Sequence, residues 1–427
     1  MTPKEQEDIN NRAKRAAELE ALIPINFAEL ERRIKRWMLI ADRDVIKFLC
    51  MIYAANHLPR DPIWVFLIAA SGGGKTELVT SMFDLPDMYP LSLITPNTFL
   101  SGMPGRNSAS LLPKISGKIL AFLDWTNMMS MNQEAQAEIL GQFRDIYGGY
   151  LKKSFGTGRV EEWKGKIGVL ACTTSMVDFS QQRNAALGER FVHYRVLMPD
   201  RKEVGMRSLQ NGGRMEEMRK DMRDAFFSFF KSMDFEKKTP ELPDEVQIQL
   251  VDISNLATMA RSGVIRESSF KREVIFVPAV EMPTRLPQQL ATLACAAMVV
   301  NGGEYDPEDM KIIYKVALDS IPQTNRMVML EMAAEDNLTT KEIATALGYP
   351  TAPIHLYLEN LALLGVIKRY KGSDTEQGGA ADRWALLPEF SEILRKYESV
   401  EKRKEPEVDL RAEAEAVFGG EDPTDEL

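Results

Sequence analysis

The sequence predicts an α/β protein in which helices cover both faces of a mainly parallel sheet. Its first sign is an apolar run at residues 63–68 that leads directly into a glycine-rich loop and then a helical pattern. The second is that short apolar runs continue to alternate with helical segments as far as Leu197. Strands separated by helices usually pair in parallel and are buried on both faces, so this alternation indicates a doubly covered sheet.

The loop after the first predicted strand reads Ala69-Ala70-Ser71-Gly72-Gly73-Gly74-Lys75-Thr76, with Ala69 where the GxxxxGK[ST] spacing has its first glycine. Consecutive glycines let backbone N–H groups turn around a polyphosphate, Lys75 can reach the β and γ phosphates, and the Thr76 hydroxyl can ligate Mg²⁺. Without nucleotide, we expect Lys75 to face solvent. The predicted cofactors are ATP and Mg²⁺, and the predicted binding residues are Ser71, Gly72, Gly73, Gly74, Lys75, Thr76 and Glu77.

The remaining elements follow from periodicity. Residues 4–57 have a helical pattern. Further strands are predicted at residues 91–95, 119–124, 167–173 and 191–197, with helices at 97–100, 132–147 and 177–186 between them. Residues 201–213 are predicted to form a loop. Helices at residues 214–233, 244–262 and 287–300, with a short β-like segment at 273–277, are typical of a helical lid.

Polar residues follow the third and fourth predicted strands. Asp124 is suited to hold the Mg²⁺ water shell opposite Thr76, although a carboxylate at a strand end can also simply turn to solvent. Thr174 places a hydroxyl at the carboxyl edge of the sheet, where the γ-phosphate would lie. Arg190 comes just before the fifth strand. If that strand lies at the sheet edge, Arg190 can reach the γ-phosphate of a neighbouring subunit; the alternative is a structural salt bridge.

Taken in order, these motifs resemble the AAA+ ATPase family over residues 44–302. The match comprises Walker A at residues 69–76, Walker B at 119–124, a sensor-like Thr174, a finger at Arg190 and a lid helix that opens Pro283-Thr284-Arg285-Leu286. The resemblance implies a homo-hexameric ring in which Arg285 touches the γ-phosphate of its own subunit. The Arg190-Phe191 and Thr-Arg-Leu placements are most similar to the minichromosome-maintenance clade, and the chain also resembles ATPases of phages and mobile elements.

The chain departs from this family at two points. It lacks the length for the large N-terminal DNA-binding domain of that clade. Trp125 stands where many motor ATPases carry the glutamate that orients the attacking water. The catalytic base is therefore unassigned, and slow hydrolysis is compatible with the sequence.

Residues 150–164 predict a β-hairpin around Gly156-Thr157-Gly158. We expect Lys152, Lys153 and Arg159 to crowd its tip, where cations suit phosphates, and Phe155 could stack on a base. In the clade that the chain resembles, a hairpin at this place projects into the ring channel and grips the DNA backbone. The alternative is an ordinary solvated hairpin.

A separate module follows the lid. Helical patterns at residues 327–333, 341–347 and 352–364, the second capped by Thr339, precede strands at 366–371 and 383–387. This order is typical of a winged helix-turn-helix. Lys368, Arg369 and Lys371 on the wing are predicted DNA contacts, although such modules also dock proteins.

The predicted domains are an N-terminal helical region (1–43), an ATPase core (44–240), a helical lid (241–320), the winged helix-turn-helix (321–392) and an acidic tail (393–427). From residue 405 the tail carries nine carboxylates against Arg411, so we predict that it is disordered and available to a protein partner. With no apolar run of membrane-spanning length and no signal-peptide core, a soluble, cytoplasmic protein is expected. Three widely spaced cysteines indicate neither disulfides nor a zinc site.

The predicted function is that of an ATP-dependent ring motor on single-stranded or forked DNA, a helicase or helicase-like replication initiator of a phage or mobile element. Two other functions remain open at this point. One is an ATP-switched loader or regulator that assembles on DNA without translocating. The other is a signalling ATPase whose winged helix docks a protein.

Overall fold

The computed structural model describes residues 3–102, 110–156, 158–178, 189–235, 240–267, 272–371 and 381–401. The N-terminal region consists of helices α1 (Pro3–Glu20), α2 (Phe27–Trp37) and α3 (Val45–His57). The Asn26 side chain caps α2 by accepting a hydrogen bond from Glu29 N at 2.9 Å. Helix α3 is buried on nearly all sides and packs in the core against the sheet, as its continuous apolar sequence predicts.

The sheet confirms the predicted fold class at the level of a parallel α/β core. The strands as far as residue 195 are β1 (Trp64–Ile68), β2 (Met88–Pro90), β3 (Ile119–Phe122), β4 (Tyr150–Ser154), β5 (Val160–Lys164), β6 (Gly168–Thr173) and β7 (Phe191–Arg195). A parallel sheet has the order β2-β3-β6-β1-β7, and β4 and β5 form a separate antiparallel hairpin. Val65 and Leu67 belong to one core, and Trp64, Phe66 and Ile68 to another, so the sheet is covered on both faces.

Helices on both faces complete this core: α4 (Lys75–Thr80), α5 (Leu112–Ile115), α6 (Thr126–Met129) and α7 (Gln133–Tyr147). Helix α4 shares the core of α3 through Leu78 and Val79. Helix α7 packs on the opposite face, where the Phe143 ring lies 5.4 Å from that of Trp64, centroid to centroid. The long helices α3 and α7, both predicted from sequence periodicity, thus lie on opposite faces of the sheet at β1.

Three predicted elements differ in the structure. The second strand ends at Pro90, and beyond it only Leu91 N still donates to Ala121 O of the neighbouring strand (2.9 Å). Residues 97–100 form turns rather than a helix, because the Thr98 hydroxyl accepts a hydrogen bond from Thr95 N (2.8 Å) and folds the chain locally. Of the helix predicted at residues 177–186, residues 179–186 lie outside the described residues.

Residues 201–213, predicted to be a loop, contain helix α8 (Arg201–Asn211). Asp200 caps it by accepting hydrogen bonds from Lys202 N and Glu203 N. None of the eleven helix residues is buried, so there was no apolar stripe from which to predict it.

Helix α9 (Met215–Phe230) ends the predicted core. The lid predicted at residues 241–320 contains α10 (Asp244–Arg261), β8 (Ile265–Arg266), β9 (Val274–Phe276), α11 (Arg285–Val300), a short 3-10 turn (Pro307–Asp309) and α12 (Met310–Asp319). The end of α12 closes the exposed side of β7. Ser320 Oγ accepts a hydrogen bond from His193 N (3.0 Å), and the Asp319 carboxylate accepts one from Arg195 N (2.7 Å). These contacts satisfy an edge strand that would otherwise present unpaired N–H groups.

The C-terminal unit contains α13 (Gln323–Ala334), β10 (Leu338–Thr339), α14 (Thr340–Ala346), α15 (Thr351–Leu363), β11 (Ile367–Tyr370), β12 (Arg383–Leu386) and α16 (Pro388–Glu401). Its strands form an antiparallel sheet in the order β10-β12-β11. Thr339 caps α14 as predicted, in a reciprocal capping box with Glu342. Residues 393–401, assigned from sequence to the disordered tail, continue α16, and residues 402–427 lie outside the described residues.

In the described part of the chain, every helix is either too short or too polar to cross a membrane.

Candidate functional site

The glycine-rich loop between β1 and α4 has the backbone that its sequence demands. Gly72 and Gly74 adopt φ values of +76° and +78°, a region that side chains other than glycine rarely enter. A Cβ on Gly73 would lie 2.7 Å from Met198 Cε, and one on Gly74 would lie 2.6 Å from Met38 Cε. Two methionine side chains therefore pack directly on the loop and would have to shift to admit a Cβ, while the positive φ values favour glycine at positions 72 and 74.

Lys75 is buried rather than solvent-facing, which corrects the expectation from sequence. Only 8% of the residue is exposed, and Nζ donates hydrogen bonds to Ala69 O (2.5 Å) and Ala70 O (2.9 Å). Burial lowers the pKa of Lys75, while the nearby Cys172 and Asp124 oppose that shift. The ammonium is thus held by the loop itself, within the electrostatic reach of Asp124.

Parallel pairing brings the ends of three strands together at the carboxyl edge of the sheet. Ile68 at the end of β1 pairs with Thr173 of β6, and Trp125 N, just after β3, donates to Cys172 O of β6 (2.8 Å). Because β6 lies between β1 and β3, Thr174 follows the sheet between the glycine-rich loop and Asp124. Four of the predicted catalytic and metal residues therefore meet at one edge, namely Lys75, Thr76, Asp124 and Thr174.

The side chains at this edge differ in availability. The hydroxyl-bearing residues Ser71 and Thr76 are exposed, and so is Asp124, whose Oδ1 accepts a hydrogen bond from Thr126 N (2.8 Å). Glu77 is tied to α9, since its carboxylate accepts two hydrogen bonds from Arg219, at 3.0 and 2.6 Å. Thr76 and Asp124 are thus available to a cation, whereas Glu77 is a link between α4 and α9.

Trp125 is a core residue. It is 5% exposed, and its ring packs against the rings of Phe66, Phe122 and Phe143. The side chain at the position where a motor ATPase would carry a water-orienting glutamate therefore points into the apolar core here. The catalytic base remains unassigned.

Arg190 lies at the opposite, amino-terminal edge of the sheet. Phe191, the next residue, pairs with Trp64 at the start of β1, and β7 is the edge strand. At about 3.3 Å per residue, the length of β1 puts Arg190 roughly 15 Å from the glycine-rich loop of its own subunit. The premise of the sequence argument for Arg190, an edge strand, is confirmed.

Arg285 lies beside Arg190 and not beside the loop. Its NH1 group donates to Glu189 O (2.7 Å), and the Arg285 and Arg190 guanidiniums lie 5.9 and 6.0 Å from the centre of the Tyr147 ring. The start of α11 packs at the amino-terminal edge because Gln289 Nε2 also donates to Arg190 O (2.7 Å). The expected contact of Arg285 with the γ-phosphate of its own subunit is therefore wrong in this arrangement.

A third arginine, Arg144, belongs to the same cluster and was missed from sequence. Burial, and then the charges of Arg285 and Arg144, lower the pKa of Arg190 to about 10, so that it stays protonated at neutral pH. Burial also raises the pKa of Tyr147 to about 12. The signal was available in the spacing, because Arg144 and Tyr147 are three residues apart on α7 and hence share a helix face.

The hairpin forms where predicted, but its cations are not gathered at the tip. Lys152 lies on the outer face, whereas Lys153, Phe155 and Arg159 are partly buried. Lys153 Nζ contacts Glu138 (3.0 Å) and Pro96 O (2.7 Å) on the protein body, and Arg159 pairs with Glu161. Phe155 packs on the core around α7 and touches Gly102. Strand alternation separates these residues, since successive side chains point to opposite faces.

In the C-terminal unit, Lys368, Arg369 and Lys371 are all exposed. Arg369 is partly neutralised by an ion pair with Asp382 and lies 5.2 Å from the centre of the Trp384 ring. The C-terminal half of α15 contacts the lid. There, Arg266 donates to Asn360 Oδ1 (2.8 Å) and Glu359 Oε2 (3.2 Å).

Among the described residues, no cluster of three or more His, Cys, Asp or Glu side chains is arranged to hold a metal alone. A Mg²⁺ ion at Thr76 and Asp124 would thus take its other ligands from phosphates and water, as Mg²⁺ commonly does. Comparisons with protein-family models and with curated proteins found no match to the chain.

Proposed function

We propose that this chain is an ATP-dependent, ring-forming motor that acts on DNA, with an AAA+ core and a C-terminal winged helix. The observation that carries the proposal is a divided site. Lys75, Thr76 and Asp124 lie at one edge of the sheet, whereas Arg190 and Arg285 lie together at the other. Neither half can complete the other within one subunit, but both halves meet if subunits are arranged head to tail, in a ring such as a homo-hexamer.

The residues at the carboxyl edge fit ATP with Mg²⁺. Amides of residues 71–76 would surround the phosphates, Lys75 would exchange its loop carbonyls for phosphate oxygens, and Thr76 and Asp124 would hold the metal ion and its water. Thr174 would contact the γ-phosphate. When bound, ATP with Mg²⁺ supplies the transferable phosphoryl group and the charge that balances it.

The arginine cluster completes the site of the next subunit in this proposal. A guanidinium that meets the γ-phosphate from outside stabilises the charge of the transition state. Arg190 and Arg285 both act in trans here, because they occupy the same edge and share the Tyr147 ring. Hydrolysis is therefore expected only in assembled protein.

Two surfaces support DNA as the substrate. The helix and strand order of the C-terminal unit, with the β11–β12 pair after α15, supports a winged helix in which Lys368, Arg369 and Lys371 would lie along the wing. The outer face of the β4–β5 hairpin adds Lys152. These cations suit phosphates of either duplex or single-stranded DNA.

Subunit mixing tests the divided site. Arg190→Ala should bind ATP yet lose hydrolysis, and Lys75→Ala should lose ATP binding. Mixed rings contain interfaces at which an intact loop faces an intact arginine, so mixing the two variants should restore part of the activity. Arg32→Ala is a matched control, because Arg32 is an exposed arginine on α2 paired with Glu29. Absence of rescue at every mixing ratio, in subunits shown to exchange, would contradict action in trans.

One observation favours a second candidate, an ATP-switched loader or regulator that assembles on DNA without stepping. Burial of Trp125 removes the usual place for a water-activating carboxylate, which suits slow hydrolysis. Strand displacement on a forked duplex separates the two functions, because only a motor needs sustained turnover. If turnover is not stimulated by DNA at all, a signalling ATPase with a protein-docking winged helix is the better explanation.

A further inference from the structure

Helix α8 rests on the end of α2 through one face and leaves its other face bare. Its partly buried residues are Val204, Arg207 and Asn211, which follow one another at the spacing of one helix face. Arg207 NH1 donates to Arg36 O (3.3 Å), and Asn211 Nδ2 donates to Trp37 O (2.8 Å). Both carbonyls belong to the end of α2, so the contact with α2 accounts for one side of α8 only.

The bare side of α8 combines apolar and cationic side chains. Met206 and Leu209 are 53 and 78% exposed. Lys202, four residues before Met206, completes a row on the side of the helix opposite Val204. We call Lys202, Met206 and Leu209 the α8 face. Large apolar side chains exposed together beside charged ones are typical of interaction sites.

The cations around the α8 face are not neutralised by the protein body. Helix α8 carries one glutamate, Glu203, against three cations, Arg201, Lys202 and Arg207, and Arg36 lies beside Arg207. In the part of the chain that the structure describes, none of these four cations forms an ion pair. The cap carboxylate before the helix is already occupied by two backbone N–H groups. The α8 face therefore favours a partner that offers carboxylates beside large apolar side chains.

The acidic tail of the same chain has a sequence of this kind. Residues 405–427 carry nine carboxylates against Arg411. Within the tail, Glu413 and Glu415 lie among four apolar residues that recur at the spacing of one helix face, namely Leu410, Ala414, Val417 and Phe418. The tail thus complements α8, with acids around apolar side chains where α8 has cations.

The tail is long enough to reach α8 within one chain. Strand β7, which leads into α8, is joined to the end of α12 where Arg195 N donates to Asp319 (2.7 Å). Helix α16, which precedes the tail, lies against α13, which follows α12, because Arg395 Nε donates to Ala333 O (3.3 Å). Residues 402–416 extend to about 50 Å. This length is comparable to the diameter of a compact chain of 427 residues, whose radius of gyration is about 22 Å.

We propose that residues 410–418 of the tail dock on the α8 face of their own chain, with tail carboxylates against the cations of α8. A tethered segment acts at an effective concentration of about a millimolar, which favours it over the tail of another copy. DNA would suit the cations but would leave Met206 and Leu209 uncovered. A purely apolar partner would leave the cations without counter-charges.

Docking of the tail has a consequence for the glycine-rich loop. Helix α8 begins three residues after Met198, which packs on Gly73. It is also bound to Arg36 O, two residues before Met38, which packs on Gly74. A docked tail adds contacts to α8 and so helps to keep both methionines against the loop. Nucleotide release should therefore be slower while the tail is docked, a consequence that rests on the proposed function.

Cross-linking within one chain tests the contact. Gln210→Cys, beside the α8 face, is combined with Ala416→Cys in the full-length protein, which is treated with a short bis-maleimide. The native cysteines are buried, so their background reaction is low. We expect an intramolecular product in the mass spectrum of the digest. Adding Leu209→Asp should lower its yield by roughly threefold or more, since few central side chains carry most of the energy of a contact.

The matched control pairs Ala416→Cys with Ile23→Cys, because Ile23 is 79% exposed in the α1–α2 loop and does not belong to the α8 face. A yield no higher than that of the control pair, or a yield that Leu209→Asp leaves unchanged, would overturn the inference. A product that joins two chains in place of one would also overturn it.

Release of a fluorescent ATP analogue provides the second measurement. Leu209→Asp and Phe418→Asp should each speed release by roughly twofold or more, and the double variant should release no faster than either, because both changes remove the same contact. Release rates unchanged in both variants would overturn the effect on the loop. If the parent binds no ATP, the proposed function fails, and the cross-link still decides whether the tail docks on α8.

Discussion

Replacing Lys152 by alanine tests whether DNA runs along the outer face of the β4–β5 hairpin. Lys152 is exposed, and the acid across from it, Glu162, already contacts Lys164 at 3.3 Å. Lys153 and Arg159, by contrast, are held by Glu138 and Glu161 and must leave these carboxylates to meet a phosphate. The structure therefore assigns most of any phosphate contact on this hairpin to a single side chain per subunit.

The expected magnitude follows from counterion release. Loss of one phosphate contact lowers the slope of log affinity against log salt by about 0.7 for single strands and about 0.9 for duplex. Lys152→Ala should produce nearly this full change for each bound subunit. Adding Lys153→Ala and Arg159→Ala should extend it only slightly, instead of tripling it. DNA stimulation of ATP hydrolysis should fall in the same variant, while ATP binding stays unchanged.

The assay is fluorescence anisotropy with labelled single-stranded DNA at several salt concentrations, together with ATPase rates with and without DNA. Lys164→Ala is the matched control, because Lys164 is on the same outer face but at the base of the hairpin, opposite Tyr150. An unchanged salt slope in Lys152→Ala, or an equal change in both variants, would refute the assignment of DNA to the upper part of the hairpin.

Three other outcomes are expected. Lys75→Ala should lose most of its ATP affinity in calorimetry. Because the ammonium also donates hydrogen bonds to two loop carbonyls, the same variant should have a free energy of unfolding in urea that is lower by about 1–3 kcal/mol. Unchanged ATP binding would show that the glycine-rich loop is not the phosphate-binding site. Lys368→Ala should weaken duplex binding at all sequences alike, and more than Arg369→Ala does, because Asp382 already pairs with Arg369; the reverse order in a gel-shift titration would argue against wing contacts. Burial lowers the pKa of Lys166 to about 8 from an ordinary value of 10.5, so the unfolded chain binds more protons at this residue between these pH values. The contribution of Lys166 to the free energy of unfolding should therefore rise with pH from about 8 to 10.5, and the difference between the parent and a Lys166→Met variant in urea unfolding should change by that contribution; a difference independent of pH would contradict the shift.

Sequence patterns predicted the strands and helices whose side chains are buried. The alternation of apolar runs located β1, β3, β6, β7 and the helices that cover them, because a parallel sheet buries both faces of every strand. The same reasoning could not find α8, since a helix with no buried residue has no apolar stripe. It also misplaced β2, whose three residues are too few for a periodicity to register.

The candidate site was predictable where residues follow one another along the chain, and not where the fold had to bring them together. Lys75, Thr76, Asp124 and Thr174 each follow a strand, and parallel strands end at one edge. The side on which Arg285 lies depends on how α11 packs at Glu189, which is a tertiary contact without a local signal. The split of the hairpin cations between two faces was implicit in strand alternation, but their carboxylate partners were not.

The carboxylate of Asp319 connects three elements of the structure through hydrogen bonds. It is fully buried and accepts hydrogen bonds from Arg195 N of β7, from Lys315 Nζ of α12 (2.9 Å) and from Arg326 NH1 of α13 (2.7 Å). Breaking a buried network of this kind costs about 3–5 kcal/mol, so rotation of the C-terminal unit about this point must carry the edge strand with it. Because β7 begins immediately after Arg190, a movement of the C-terminal unit should displace that guanidinium as well.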